Sequence, residues 1–223
     1  MSAFAFHSLR LIGHSVETGA GHLKAEIIKA DIGSLTGGRV VLYVLGALAT
    51  CRDPQNFYDF NLVTSLKNKL SKFPQVGFDN PFQYSLAVLA LCSSRKDLGR
   101  EKLTYVREIS QSIENELDYA SGDTFAMQVM ALTCIKKSIK KGAFPEKIKN
   151  GIDTASSALV NRQMNDTTFG ENEVTAALAS QVRKRIPYAT PSVTPRGHLP
   201  PPAAPPLPTP STSSHLDVLP GNV

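Results

Sequence analysis

The sequence predicts an all-α protein of stacked helical hairpins, followed by a proline-rich tail. Three observations carry this expectation. An apolar segment ending in cysteine recurs at nearly constant spacing: GGRVVLYVLGALATC closes on Cys51, NPFQYSLAVLALC on Cys92 and GDTFAMQVMALTC on Cys134, separations of 41 and 42 residues. Charged, amphipathic stretches fill the intervals between the copies. The chain also has no Trp and only 7% aromatic residues, its apolar positions being held by Leu, Ala, Val and Ile, a composition that suits packed helices better than a β-sandwich. A period of about 40 residues holding two helices is the mark of stacked helical hairpins.

Taken in order, the N-terminal MSAFAFHSLRLIGHS is not a convincing signal peptide, lacking a basic n-region and a small-x-small cleavage site. The first apolar helix runs to Cys51, and FNLVTSLKNKL (Phe60–Leu70) follows as an amphipathic partner. The second apolar copy is paired with REKLTYVREISQSIENEL (Arg100–Leu117), the third with EKIKNGIDTASSALVNR (Glu146–Arg162). A weaker fourth copy, FGENEVTAALASQ (Phe169–Gln181), has no cysteine. The cysteine-ended helices are apolar nearly all round and are expected to be buried on every side, while their partners carry charge on one face and belong outside. Inner and outer helices of this kind build either an α-solenoid or a closed α/α toroid. In a toroid the N-terminal mouths of the inner helices share one end, which would gather Thr36, Gln83, Asp123 and Glu171. Asn80-Pro81 and Asp123-Thr124 equally satisfy the rules for a helix start, with Asn or Asp as N-cap and Pro at the first position, so capping alone is a competing account of the mouths.

From Pro187 to Pro220 lie eleven of the fifteen prolines. This segment has too little apolar surface to offset its ordering entropy. Residues 1–186 are therefore expected to form the helical domain and residues 187–223 a disordered tail. The net charge is +5, and CIKKSIKKGAFPEKIKN (Cys134–Asn150) supplies much of it. Lys136, Lys137, Lys140 and Lys141 read as a solvated helix face rather than a nucleic-acid patch, because no aromatic residues are interleaved with them. No apolar run approaches the ~20 residues of a membrane span.

Three cysteines leave one unpaired. Cys92 and Cys134 occupy equivalent ends of consecutive inner helices, where packing could bring them within bonding distance; in a cytosolic protein all three would instead be small buried hydrophobes. The five histidines lie in the N-terminal region or the tail, and no Cys/His cluster forms a metal site. Asn165-Asp166-Thr167 is an acceptor sequon that makes Asn165 a glycosylation candidate. P-loop, GxGxxG, GxSxG and HExxH motifs are absent, as are the Asp-rich motif or zinc triad that a terpene-cyclase or prenyltransferase barrel would need. An enzyme is not expected.

Together the repeated segments resemble the vertebrate cobalamin carriers: intrinsic factor, transcobalamin and haptocorrin. LTGGRVVLYVLGALATCRDP (Leu35–Pro54) resembles their Thr–Gly mouth leading to a helix and a Cys-Arg-Asp-Pro ending. FQYSLAVLALC is similar to the next inner helix, GDTFAMQVMALTC to the one ending in Leu-Thr-Cys, and FGENEVTAALASQ to a fourth segment, so the likeness runs from about Leu9 to Gln181. The resemblance implies an incomplete (α/α)6 barrel, an α/α toroid whose inner-helix mouths contact the corrin ring. It places Thr36, Gln83, Asp123 and Glu171 on or beside cobalamin-contacting positions and implies a Cys92–Cys134 disulfide. Secretion and a cell-surface uptake receptor as partner follow from the same likeness. Beside the family pattern, Arg39 stands for a Gln and Glu173-Val174 for Tyr-Ser, and ELDYASG (Glu116–Gly122) has no His to ligate cobalt. No signal peptide or β-domain is recognisable, so the chain is expected to be a truncated α-domain. The alternative is a divergent member that no longer binds cobalamin and acts as a helical interaction module.

Overall fold

A computed structural model of the chain describes residues 17–74, 77–78, 80–94, 98–139, 145–162 and 173–185. All of these lie in one compact unit, Met1–Thr190. The N-terminal stretch before Glu17, Lys140, Lys141, Asn165, Glu171 and the tail from residue 187 onward fall outside the described residues.

Among the described residues eight α-helices follow one another: α1 (Glu17–Ala30), α2 (Gly37–Ala49), α3 (Leu62–Leu70), α4 (Pro81–Ser93), α5 (Lys102–Glu116), α6 (Gly122–Ser138), α7 (Pro145–Asn161) and α8 (Glu173–Arg185). The described residues contain no strand beyond an isolated bridge between Phe57 and Phe60. The all-α expectation holds, and inner and outer helix types alternate from α2 to α7, whereas α8, read as a fourth inner helix, leaves Val174, Ala177, Ser180 and Gln181 exposed. In α6 every residue from Thr124 to Leu132 is buried, as an inner helix requires. The partner helices bury one stripe each: Leu62, Val63, Leu66 and Leu70 in α3, Tyr105, Val106, Ile109 and Ile113 in α5, and Ile148, Ile152, Ala155 and Leu159 in α7. Helix α1 is not marked by the cysteine period, yet Ala20, Leu23 and Ile27 stand at helical spacing and form its buried face.

The inner helices pack in chain order, α2 on α4, α4 on α6 and α6 on α8, and α5 and α7 back onto α6 while packing on each other. Gln128 lies midway along α6, fully buried, and donates from Nε2 to the Ser112 hydroxyl of α5 at 3.0 Å. A polar contact of this kind resists axial slippage of inner on outer helix, because a shift would strip the buried Gln128 amide of its Ser112 partner.

A disulfide joins Cys92 of α4 to Cys134 of α6, with their Cα atoms 6.1 Å apart. Cys92 lies eleven residues after the first residue of α4 and Cys134 twelve after that of α6, or about 17 and 18 Å along each axis at 1.5 Å per residue. The bond therefore holds two parallel helices level. Cys51 departs from the pattern. It is an exposed free thiol at φ 57°, and it sits outside its helix, one residue past the Thr50 C-cap of α2. Of the two readings open for it, the leftover thiol holds rather than the small buried hydrophobe, because the left-handed turn carries the chain off the core. Lys136 and Lys137 are solvent-exposed in the last turn of α6, as a wetted face requires.

Two outcomes check this arrangement. Alkylation of the folded, non-reduced protein is expected to label one cysteine, Cys51, with Cys92 and Cys134 recovered as a linked peptide pair. Replacing both bonded cysteines by serine is expected to lower unfolding free energy by about 2–4 kcal/mol, the usual contribution of a cross-link across a loop of this length, with helical content retained.

Candidate functional site

The starts of the inner helices meet side by side. Gly38, the second residue of α2, lies against the side chain of Gln83, the third residue of α4; a β-carbon at Gly38 would stand 3.3 Å from Gln83 Oε1. Gly37 is packed still more tightly, since a β-carbon there would collide with the Gly77 carbonyl oxygen and come within 2.8 Å of the Phe78 ring. At the other end of the row Gly122, the first residue of α6, leaves room for the first turn of α8, and a β-carbon would meet Thr175 Cγ2 at 2.9 Å. With the level disulfide between α4 and α6, these contacts make α2, α4, α6 and α8 parallel neighbours whose N-termini gather at one end.

The capping account divides. Thr36 is the N-cap of α2, its hydroxyl accepting from the Arg39 N–H at 3.4 Å. Asn80 caps α4 and takes the Gln83 N–H at 2.9 Å. The cap of α6, however, is Ser121, whose hydroxyl shares a 3.0 Å hydrogen bond with Thr124 Oγ1. Asp123 stands inside the helix at its second position, so the expectation of Asp123 as N-cap is corrected. Asp123 is a partly buried residue of the first turn, where the positive end of the helix dipole favours an anion. Among the described residues it takes no hydrogen-bond or ion-pair partner.

Gln83 thus lies across the α2–α4 contact against Gly38, two residues past the Thr36 cap, and Asp123 stands beside the α6–α8 contact. Glu171 lies outside the described residues. Tyr84, the residue after Gln83, is buried, stacking on Phe73 at 4.1 Å between ring centroids and meeting the Phe78 ring edge-on at 6.2 Å. Burial, helped by the charge of Glu108, pushes its phenol well above the ordinary range, and it serves the core. Two clefts, of about 340 and 510 Å³, open between the outer helices α5 and α7.

Sequence reasoning missed Arg162, which lies just past α7 and donates to the carbonyls of Leu117 (2.7 Å), Ala120 (2.9 Å) and Ala158 (3.0 Å). An arginine next to the end of an amphipathic helix was its only signal. Among the described residues no group of His, Cys, Asp and Glu could hold a metal ion, and no helix is long and apolar enough to cross a membrane.

A helical domain whose inner helices present their N-termini together, stapled between its second and third cysteines, defines the class. A family model described as eukaryotic cobalamin-binding protein matches residues 6–182. The chain belongs to this family. It is 28% identical to transcobalamin-1 of Homo sapiens over 77% of this chain and 44% of that protein. It is 30% identical to transcobalamin-2 of Homo sapiens over 65% of this chain and 35% of that one. For the cobalamin-binding intrinsic factor of Mus musculus the figures are 25% identity, 63% and 32%. The chain thus spans less than half the length of the curated relatives it matches.

The glycine contacts at the mouths make a paired test. Gly37→Ala is expected to destabilise the fold by about 1–3 kcal/mol, because its new methyl group meets backbone that has nowhere to go. Gly38→Ala is expected to cost less, since the facing group is the flexible end of Gln83. Urea unfolding of both variants checks the order, and equal losses would contradict the close approach at Gly37.

Proposed function

We propose that this chain binds and carries cobalamin, with Thr36, Gln83, Asp123 and Glu171 contacting the corrin from the mouths of the inner helices. The single observation that supports these sites most is Asp123. It is a partly buried acidic residue at the gathered helix starts, with no capping duty and no partner among the described residues. Family membership supports the ligand, and the parallel, level inner helices support an α/α toroid as the architecture they extend into.

The chemistry fits. Cobalamin is a large amphipathic disc ringed by amide side chains, and carboxylate, amide and hydroxyl groups can accept from or donate to those amides. Each such bond contributes only ~0.5–1.5 kcal/mol net, more where one partner is charged. Retention therefore needs many of them and enclosure from water. The turn Glu116–Gly122 contains no histidine, so this reading draws on the periphery of the corrin rather than on a protein ligand to cobalt from that turn. No bond is made or broken in the ligand, and the protein acts as a carrier rather than an enzyme.

A secreted carrier accords with the Cys92–Cys134 bond, since disulfides persist in oxidising compartments. Glycosylation at Asn165 and recognition by a cell-surface uptake receptor belong to the same proposal.

Purified protein titrated with hydroxocobalamin is expected to carry the corrin absorbance through gel filtration at micromolar concentration. Asp123→Ala is expected to weaken binding roughly ten- to a hundred-fold, the effect of removing one charge-assisted hydrogen bond, while circular dichroism and melting stay unchanged. Failure of the corrin to co-elute with the wild-type chain would sink the carrier reading in favour of a non-binding helical interaction module. An Asp123→Ala protein that loses its helices would instead make Asp123 a structural residue.

A further inference from the structure

We propose that Arg162 is a positioning residue for the α6 mouth, fixing the turn that delivers Asp123; as a statement about ligand binding this rests on the corrin-carrier reading above. The guanidinium lies just beyond α7 and grips the α5–α6 turn at two points, donating from Nη2 to the Leu117 carbonyl at 2.7 Å and from Nε to the Ala120 carbonyl at 2.9 Å. A third bond, Nη1 to the Ala158 carbonyl at 3.0 Å, ties it to the last turns of its own helix. Its face covers the Phe125 ring, with 4.6 Å between Cζ and the ring centroid, and Phe125 is fully buried in the first turn of α6. Asp123 thus stands between two points that Arg162 holds, the Ala120 carbonyl before it and the Phe125 ring after it.

Several features distinguish this arrangement from an ordinary surface arginine. Among the described residues Arg162 pairs with no carboxylate. Its charge is spent on carbonyl groups at helix ends, where the dipoles of α5 and α7 favour a cation. The contacts need a planar fork with several divergent N–H groups and a flat face for the ring, which arginine supplies and lysine does not. The turn it holds is otherwise closed by the Tyr119 and Ala120 N–H groups, both donating to the Glu116 carbonyl at 3.2 and 2.9 Å. Tyr119 is itself 74% exposed, so its side chain adds little packing to these backbone bonds, and of the two donors Ala120 packs against the core.

The test uses Arg162→Lys, which keeps the charge and whose helical content is checked by circular dichroism, with Arg162→Ala as a second variant. In the ligand-free protein, hydrogen exchange at the Tyr119 and Ala120 amides is expected to accelerate about tenfold or more in Arg162→Lys, the factor for losing one charge-assisted hydrogen bond. Amides in α2 and α4 are expected to stay unchanged. With hydroxocobalamin, Arg162→Lys and Asp123→Ala are each expected to weaken binding, and the double variant to weaken it by less than the product of the two factors, as residues acting through one another do. Unchanged exchange at Tyr119 and Ala120, or losses that simply multiply, would overturn the proposal. Absence of binding by the wild-type chain would overturn the carrier reading instead, and the exchange result would still decide whether Arg162 holds the turn.

Discussion

The covalent tie between Cys92 and Cys134 is the constraint on which the rest of the arrangement depends. It joins α4 to α6 at matching heights, and two helices fixed level and parallel must begin at the same level. Once the central pair is set, the flanking helices have little freedom. α2 meets α4 through Gly37 and Gly38, and α8 meets α6 through Gly122. Larger residues at these positions would push the helix starts apart. The disulfide and the glycines act at opposite ends of the helices, and together they convert a chain of hairpins into a rank of helices sharing one polar end.

That polar end has a simple electrostatic character. Parallel helices bring their N-terminal partial charges together, which makes the region receptive to carbonyl and anionic groups. Thr36 and Asn80 satisfy some of the orphan N–H groups from within the chain. Asp123 adds an acceptor without being consumed by a cap, and Gln83 adds an amide that can both donate and accept. A surface made of mixed donors and acceptors complements a ligand edged with amides better than one edged with a single charge. The outer layer contributes indirectly: Arg162 carries the order of α7 into the turn before α6, and Gln128 pins α6 to α5 through Ser112.

Much of the fold was legible because burial leaves a plain pattern in sequence. Helices apolar on all sides alternate with helices apolar on one, and the cysteine spacing locates the repeat. Helix α1 escaped because its stripe is short and carries glycines at Gly19 and Gly21, which blur the helical signal. Cys51 stands apart from the other two because equal spacing along the chain does not guarantee equal placement; α2 ends two residues before it, whereas α4 and α6 continue through their cysteines. At the site, spacing marked Thr36, Gln83 and Asp123, since each stands near the start of its inner helix. Whether a polar residue caps a helix or merely occupies its first turn depends on a shift of one or two positions, and that lay beyond sequence. Ser121 rather than Asp123 holds the cap for this reason. Arg162 was invisible because its partners are backbone carbonyls distant in sequence, and backbone leaves no trace in residue identity.

The most direct test is hydrogen exchange across the whole chain, with and without hydroxocobalamin. The account expects added protection concentrated in the first turns of the inner helices, around Arg39, Gln83 and Phe125, with the C-terminal ends of the same helices unchanged. Protection confined to the clefts between α5 and α7, or none anywhere at saturating ligand, would contradict the claim that the gathered helix starts form the binding face.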